Sequence, residues 1–271
     1  MRLASVMLVL LSLAHAQRFR FSPLSEVTIL EREGHAPDTQ DAKRVRIEQL
    51  FLQAGCNRSQ LSEEPLQSAA AVNVICRLPG KSGEKVIIVG ASYGQNVPES
   101  WTSAALLPSL FQALSSRKRH HTFIFVAFAD GSKDLAGAQF FAGHMTPADV
   151  DNTEAMVNLD ALGFSPTKIS SAASDKKLVE SFFKVVYSLR QMASQVDLAK
   201  ATHVDSEPFA LLSIPQITIH SLTQDAVADL HSPNLPDPVE FRADFYYHSY
   251  RLLGGYLAYL DETLKPRHHE K

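Results

Sequence analysis

The most sharply apolar stretch of the chain is Thr122 to Phe128, whose Phe-Ile-Phe-Val-Ala-Phe run leaves no polar face. Such a run predicts a central strand buried on both sides. Lys85 to Ala91 carries Val86-Ile87-Ile88-Val89, a β-branched series with the same implication. Val72 to Leu78, closed by Pro79-Gly80, and the shorter runs Met156 to Leu159 and Ile214 to His220 predict further strands. Between them the apolar period lengthens to that of helices. One runs from a cap at Asp38 or Thr39 to Ala54, with Val45, Leu50 and Phe51 apolar and Gly55 ending it. Others cover residues 102–115, 134–142 and 240–264. A long amphipathic helix over 175–193 places Leu178, Phe182, Val185, Val186 and Leu189 on one side. Arg117 to His121 reads as a polar turn. Strands alternating with helices predict an α/β fold with a mainly parallel sheet covered on both faces.

Composition narrows the class without adding chemistry. The 271 residues are 45% hydrophobic with a formal net charge of −3, and Lys and Arg are scattered. No basic stripe points to nucleic acid, and no acidic tail points to a charged partner. The N-terminus is more informative. Arg2, an apolar run from Leu3 to Leu13 and then Ala14-His15-Ala16 have the order of a secretory signal peptide. That run is about half the roughly 20 apolar residues needed to span a bilayer. The predicted organisation is a signal peptide over 1–16, an irregular arm over 17–37, one α/β domain over 38–264 and a polar tail over 265–271. A secreted or periplasmic location follows, with no membrane span after cleavage. The two cysteines, Cys56 and Cys76, either form a disulfide or remain buried free thiols. They face each other if residues 56–61 pair antiparallel with the strand that holds Cys76. Asn57-Arg58-Ser59 fits a glycosylation acceptor, relevant only in a eukaryotic secretory pathway.

In open α/β sheets ligands collect at the carboxyl ends of the strands, and four motifs at those ends carry a resemblance. Asn73 to Gly80 matches Asn-Val-Ile-x-x-Leu-x-Gly, and Val86 to Tyr93 matches the strand leading into Gly-Ala-His-Tyr-Asp. Phe125 to Ala138 aligns without a gap to Phe-Val-Ala-Phe-x-x-Glu-Glu-x-Gly-Leu-x-Gly-Ser. Asn158 to Gly163 matches Asn-Leu-Asp-Met-x-Gly. In this order, over roughly residues 40–262, they resemble the family twenty-eight metallopeptidases, which include secreted aminopeptidases and glutaminyl cyclases. The resemblance implies a three-layer sandwich with a mixed, mainly parallel central sheet, and a two-zinc site of histidine, aspartate and glutamate donors.

The same alignment removes most of those donors. The first histidine falls on Ser92, the bridging aspartate on Ser100, the base glutamate on Gly131 and the metal glutamate on Ser132. Asp160 remains, together with His231 in Leu230-His231-Ser232-Pro233, and these serve different zinc ions in the family pattern. Tight zinc sites use three or four protein donors, and a neutral hydroxyl is a poor one. Without zinc, water keeps its pKa near 15.7 and no nucleophile forms near pH 7. The expectation is therefore a degenerate member with no catalytic residue and no cofactor.

The remaining candidates are weighed individually. Asp160 is a relic ligand or a capping carboxylate, and His231 a relic ligand or a loop histidine bonded to backbone. Asp130 and Asp134 flank the lost glutamates and either supply a displaced carboxylate or cap the following helix. Asp205 and Glu207 lie in Asp-Ser-Glu-Pro-Phe, which resembles a family substrate-side loop and either binds an amine or is solvated. Tyr93, Trp101 and Phe164 line the old pocket or simply fill the core. His120 and His121 precede a strand at the wrong end for the cleft and are expected at the surface. No Gly-x-Ser-x-Gly elbow replaces the lost chemistry. The leading expectation is an exported, non-catalytic relative that binds a peptide or small polar ligand, or acts through contacts with another exported protein. One alternative is a metallopeptidase or aminohydrolase with a rebuilt one-zinc site around Asp160 and His231, and another is a purely structural scaffold.

Overall fold

The computed structural model describes residues 21–66, 71–94, 98–129, 135–172, 174–198, 203–223 and 240–264, with backbone alone for 98–100. The signal segment 1–16, the start of the arm, Asp130, Gly131, Ser132, Asp134, His231 and the tail 265–271 lie outside the described residues.

Eight strands form one mixed sheet: β1 (Leu61–Pro65), β2 (Val72–Leu78), β3 (Val86–Ser92), β4 (Thr122–Phe128), β5 (Thr153–Asp160), β6 (Lys168–Ser170), β7 (Ser194–Gln195) and β8 (Gln216–His220). Their order across the sheet is β1-β2-β4-β3-β5-β8-β6-β7. The central four, β4, β3, β5 and β8, run parallel, while β2 pairs antiparallel with β4 and β6 antiparallel with β8. The β-branched and aromatic runs that predicted buried strands occupy this centre. Val86 to Ala91 is buried at every position.

Alternate side chains of these strands feed two cores of unequal size. Ile87, Val89, Phe123, Phe125, Val157 and Ile219 face the larger one. It is covered by α1 (Glu26–Glu33), α2 (Gln40–Gln53), α3 (Pro98–Ser115), α6 (Lys176–Ser188) and a closing helix, α8 (Ala243–Thr263). Val86, Ile88, Val126, Phe128 and Met156 face the smaller one. There α4 (Ala136–Gly143), α5 (Pro147–Asn152) and α7 (Glu207–Leu211) pack. The result is a three-layer sandwich.

Several boundaries shift for local reasons. The arm over 17–37 is not wholly irregular, because Ser25 accepts the Thr28 N–H and starts α1, which ends at Gly34 with φ 46. The strand beside β2 begins at Leu61, which pairs with Cys76, so Cys56 sits in the turn after α2. A disulfide joins Cys56 to Cys76. Helix α6 stops at Ser188, well before residue 193, and Arg190 turns the chain at φ 52. His121 is buried rather than at the surface: its backbone N–H and that of His120 both donate to Asp261 Oδ1, tying β4's amino end to α8.

Two buried contacts fix the end of β4. Asn73, fully buried, accepts the Ala129 N–H at 2.9 Å and donates to Gly137 O at 2.9 Å. Gly137 approaches so closely that a Cβ there would lie 2.4 Å from Ala129 O, which only glycine permits. The motif residues around Asn73 and Gly137 thus join β2, β4 and α4.

Candidate functional site

Parallel strands deliver their carboxyl ends to one edge of the sheet, and two predicted site positions, Ser92 and Asp160, meet there with an unpredicted one, His220. Ser92 ends β3, Asp160 ends β5 and His220 ends β8. Gly90 pairs with Asn158, and Ser92 and Asp160 each follow two residues later on the same face of their strands. Asp160 in turn pairs with His220. Ser100 lies in the first turn of α3, where only its backbone is described.

The chemistry of this row differs from a metal centre. Ser92 Oγ accepts the Gly94 N–H at 3.1 Å, closing the turn that leaves β3. His220, which the sequence pattern did not single out, is fully buried with both ring nitrogens engaged. Its Nε2 lies 2.8 Å from Val196 O, and its Nδ1 accepts the Leu222 N–H at 3.2 Å. These partners assign the neutral Nε2–H tautomer. Burial pushes its pKa down to about 4, which keeps it neutral. Ala161 follows Asp160 at φ 43, in the left-handed region, and turns the chain away from the edge.

Asp205 is the most perturbed carboxyl of the site. It is 6% exposed, and its Oδ1 has no hydrogen-bond partner among the described residues. Burial pushes its pKa up to about 8, with the charges of Asp160 and then Glu207 adding to the effect. The structure thus brings Asp205 into electrostatic range of Asp160. Glu207 is more exposed and accepts from His203 Nδ1 at 3.0 Å and from the Val204 N–H at 3.2 Å. Asn158, two residues before Asp160, also carries a buried Oδ1 without a partner.

The aromatic candidates lie deeper. Tyr93 and Trp101 are 0% and 1% exposed within the larger core. Tyr93 donates its hydroxyl to Val72 O, and Trp101 Nε1–H donates to Glu33 O at 2.7 Å, so both polar atoms are committed to backbone. Phe164 packs with Ala161, Leu198, Val204 and Leu222 in a third, small apolar cluster behind β8's end.

The fold and this edge together define a three-layer α/β sandwich with a mixed, mainly parallel sheet. The profile of peptidase family M28 matches residues 99–250, more than half the sequence, and the chain belongs to that family. No curated protein matches the sequence significantly. Solved structures show the same fold. The glutaminyl cyclase of an Acidobacteriales bacterium superposes with a TM-score of 0.69 at 15% identity, over 89% of this chain and 97% of that one. The LapA aminopeptidase of Legionella pneumophila gives 0.67 at 13% identity, over 93% and 70%. The zinc aminopeptidase BSAP of Bacillus subtilis gives 0.59 at 16% identity, over 72% of this chain and 52% of that one. The chain thus spans about half the length of the Bacillus enzyme.

Zinc is the metal this fold family implies, and the described donors do not fit it. Among the described residues no group of three or more His, Cys, Asp or Glu side chains is placed to hold a metal ion. The row offers one carboxylate beside a hydroxyl engaged on backbone and an imidazole with both nitrogens used. Zinc needs three or four anionic or imidazole donors.

Proposed function

We propose that this chain is an exported zinc-aminopeptidase-like protein that has given up di-zinc hydrolysis and retains the cleft as a binding site for a peptide or small polar ligand. The observation that supports the reading is Ser92, which ends β3 with its hydroxyl turned onto Gly94 and which the sequence resemblance aligns with the first zinc histidine. The buried Asp205 carboxyl, whose Oδ1 has no partner among the described residues and which lies in electrostatic range of Asp160, supports a ligand with an amine, which supplies the missing donor and charge. The Cys56–Cys76 disulfide suits an oxidising compartment and so accords with export.

The test is metal content. Purified protein, equilibrated with excess zinc at neutral pH, is measured by elemental analysis and assayed on aminopeptidase substrates. The reading expects substoichiometric zinc and no turnover. Stoichiometric zinc accompanied by turnover overturns it. The electrostatic coupling of Asp205 to Asp160 favours one competing reading, a rebuilt one-metal site around Asp160 and His231. That reading requires Asp160→Ala to abolish metal binding, and an unchanged metal content eliminates it.

A further inference from the structure

Asn57-Arg58-Ser59 is the only Asn-x-Ser or Asn-x-Thr triplet in the sequence. It falls in the turn between α2 and β1, and all three residues are exposed. Asn57 O accepts the N–H of Gln60 at 2.9 Å and that of Leu61 at 3.1 Å, so the turn runs directly into β1. The side-chain amide of Asn57 is held by its oxygen alone. Its Oδ1 accepts the Ser59 hydroxyl at 2.6 Å and the Ser59 N–H at 3.1 Å. Its Nδ2 has no hydrogen-bond partner among the described residues. The hydroxyl that the acceptor motif requires thus stands against the amide, and the amide nitrogen is left open. The neighbouring Cys56 ties the turn to β2 through Cys76.

The strand that follows is the outermost of the sheet. β1 stands first in the strand order and, among the described residues, pairs only with β2. An unpaired edge is a template for association, which proteins blunt with charge or cover. The two charges of β1 are drawn away from that role. Glu63 pairs with Arg44 on α2, and Glu64 accepts from Asn73 Nδ2 on β2 at 2.9 Å. A bulky, hydrophilic group rooted at Asn57 stands at the start of this edge and supplies the missing cover.

We propose that Asn57 is the acceptor for one N-linked oligosaccharide in a eukaryotic secretory lumen, and that this glycan screens the open edge of β1. The proposal rests on the export half of the reading above. In the transfer, Nδ2 bonds to the anomeric carbon of a lipid pyrophosphate-linked oligosaccharide. The bond from that carbon to the pyrophosphate oxygen breaks, and the lipid pyrophosphate leaves with the electron pair. Nδ2 gives up one proton to a base of the transferase.

In the experiment the full chain is secreted from cultured animal cells, treated with peptide N-glycosidase F in heavy-oxygen water and mapped by peptide mass spectrometry. The expected result is a heavy-oxygen aspartate where Asn57 stood. Asn57→Gln and Ser59→Ala each remove the mass of one glycan from the secreted protein, while Ser59→Thr keeps it. Folded protein stripped of its glycan is expected to self-associate more than the untreated protein at equal concentration, as read by analytical ultracentrifugation. Secreted protein with a bare Asn57 overturns the proposal and leaves export standing. Association that is unchanged by removing the glycan overturns the screening role. A chain that never enters the secretory pathway sinks the export reading, and this proposal falls with it.

Discussion

At the scale of single residues, the clearest consequence of the structure is the proton on Asp205. Its pKa is raised from 3.8 to about 8 chiefly by burial, so the folded state holds the proton more tightly than the unfolded chain does. The stabilisation is whole below about pH 4 and is lost progressively as pH rises to about 8. At about 1.4 kcal/mol per unit, a shift of this size corresponds to a few kcal/mol. Asp205→Asn keeps the shape of the protonated acid but cannot ionise. Urea unfolding of this variant is expected to match wild type at pH 4 and to exceed it by a few kcal/mol at pH 8. A stability difference that stays flat across that window rejects the buried-acid assignment. The same residue shows where sequence reasoning ran out. Ser92 and Asp160 were legible because each ends a strand and carries a motif around it. Asp205 and His220 take their character from burial and from partners on other strands.

At the scale of elements, legibility followed the strength of the apolar signal. The strands β2 and β4 have the predicted bounds, because continuous buried runs admit no other reading. The edge strands β1, Leu-Ser-Glu-Glu-Pro, and β7, Ser-Gln, are largely polar, so their pairing is dictated by neighbours rather than by their own residues. Helix α1 buries only Ile29 and left little periodic signal, although Ser25 and Gly34 mark its ends. The link between α2 and β2 carries a definite consequence. The disulfide closes a loop of sequence separation 20 and pins the turn after α2 to the middle of β2. By chain entropy alone such a closure stabilises the fold by about 3 kcal/mol. The Cys56→Ala, Cys76→Ala double variant is therefore expected to unfold at lower urea by that amount, as read by circular dichroism. Equal stability of the variant and the oxidised protein contradicts the entropic argument for this bridge.

At the scale of the whole molecule, the sandwich is asymmetric in a way that separates scaffold from chemistry. Five helices pack on the larger core and hold the central strands from one side, whereas α4, α5 and α7 cover the other beside the row of Ser92 and Asp160. The scaffold does not depend on the metal donors, since Asn73, Gly137 and the β-branched strand centres supply the packing at that edge. A family fold of this kind can therefore persist after its zinc ligands are replaced, and the two properties separate in a thermodynamic measurement. A ligand that binds only the folded state stabilises it by RT ln(1 + [L]/Kd), about 4 kcal/mol at a thousandfold excess over Kd. An intact zinc centre would thus shift the unfolding transition strongly upward as zinc is added. For this chain, with one carboxylate, an engaged hydroxyl and a neutral, doubly bonded imidazole along the row, the expectation is different. Micromolar zinc should leave the midpoint of thermal unfolding within about 1 °C of that in chelator, and the Asp160→Asn variant should respond identically. A zinc-dependent rise of several degrees that disappears in Asp160→Asn would place a working metal at this edge and return the chain to the catalytic members of its family.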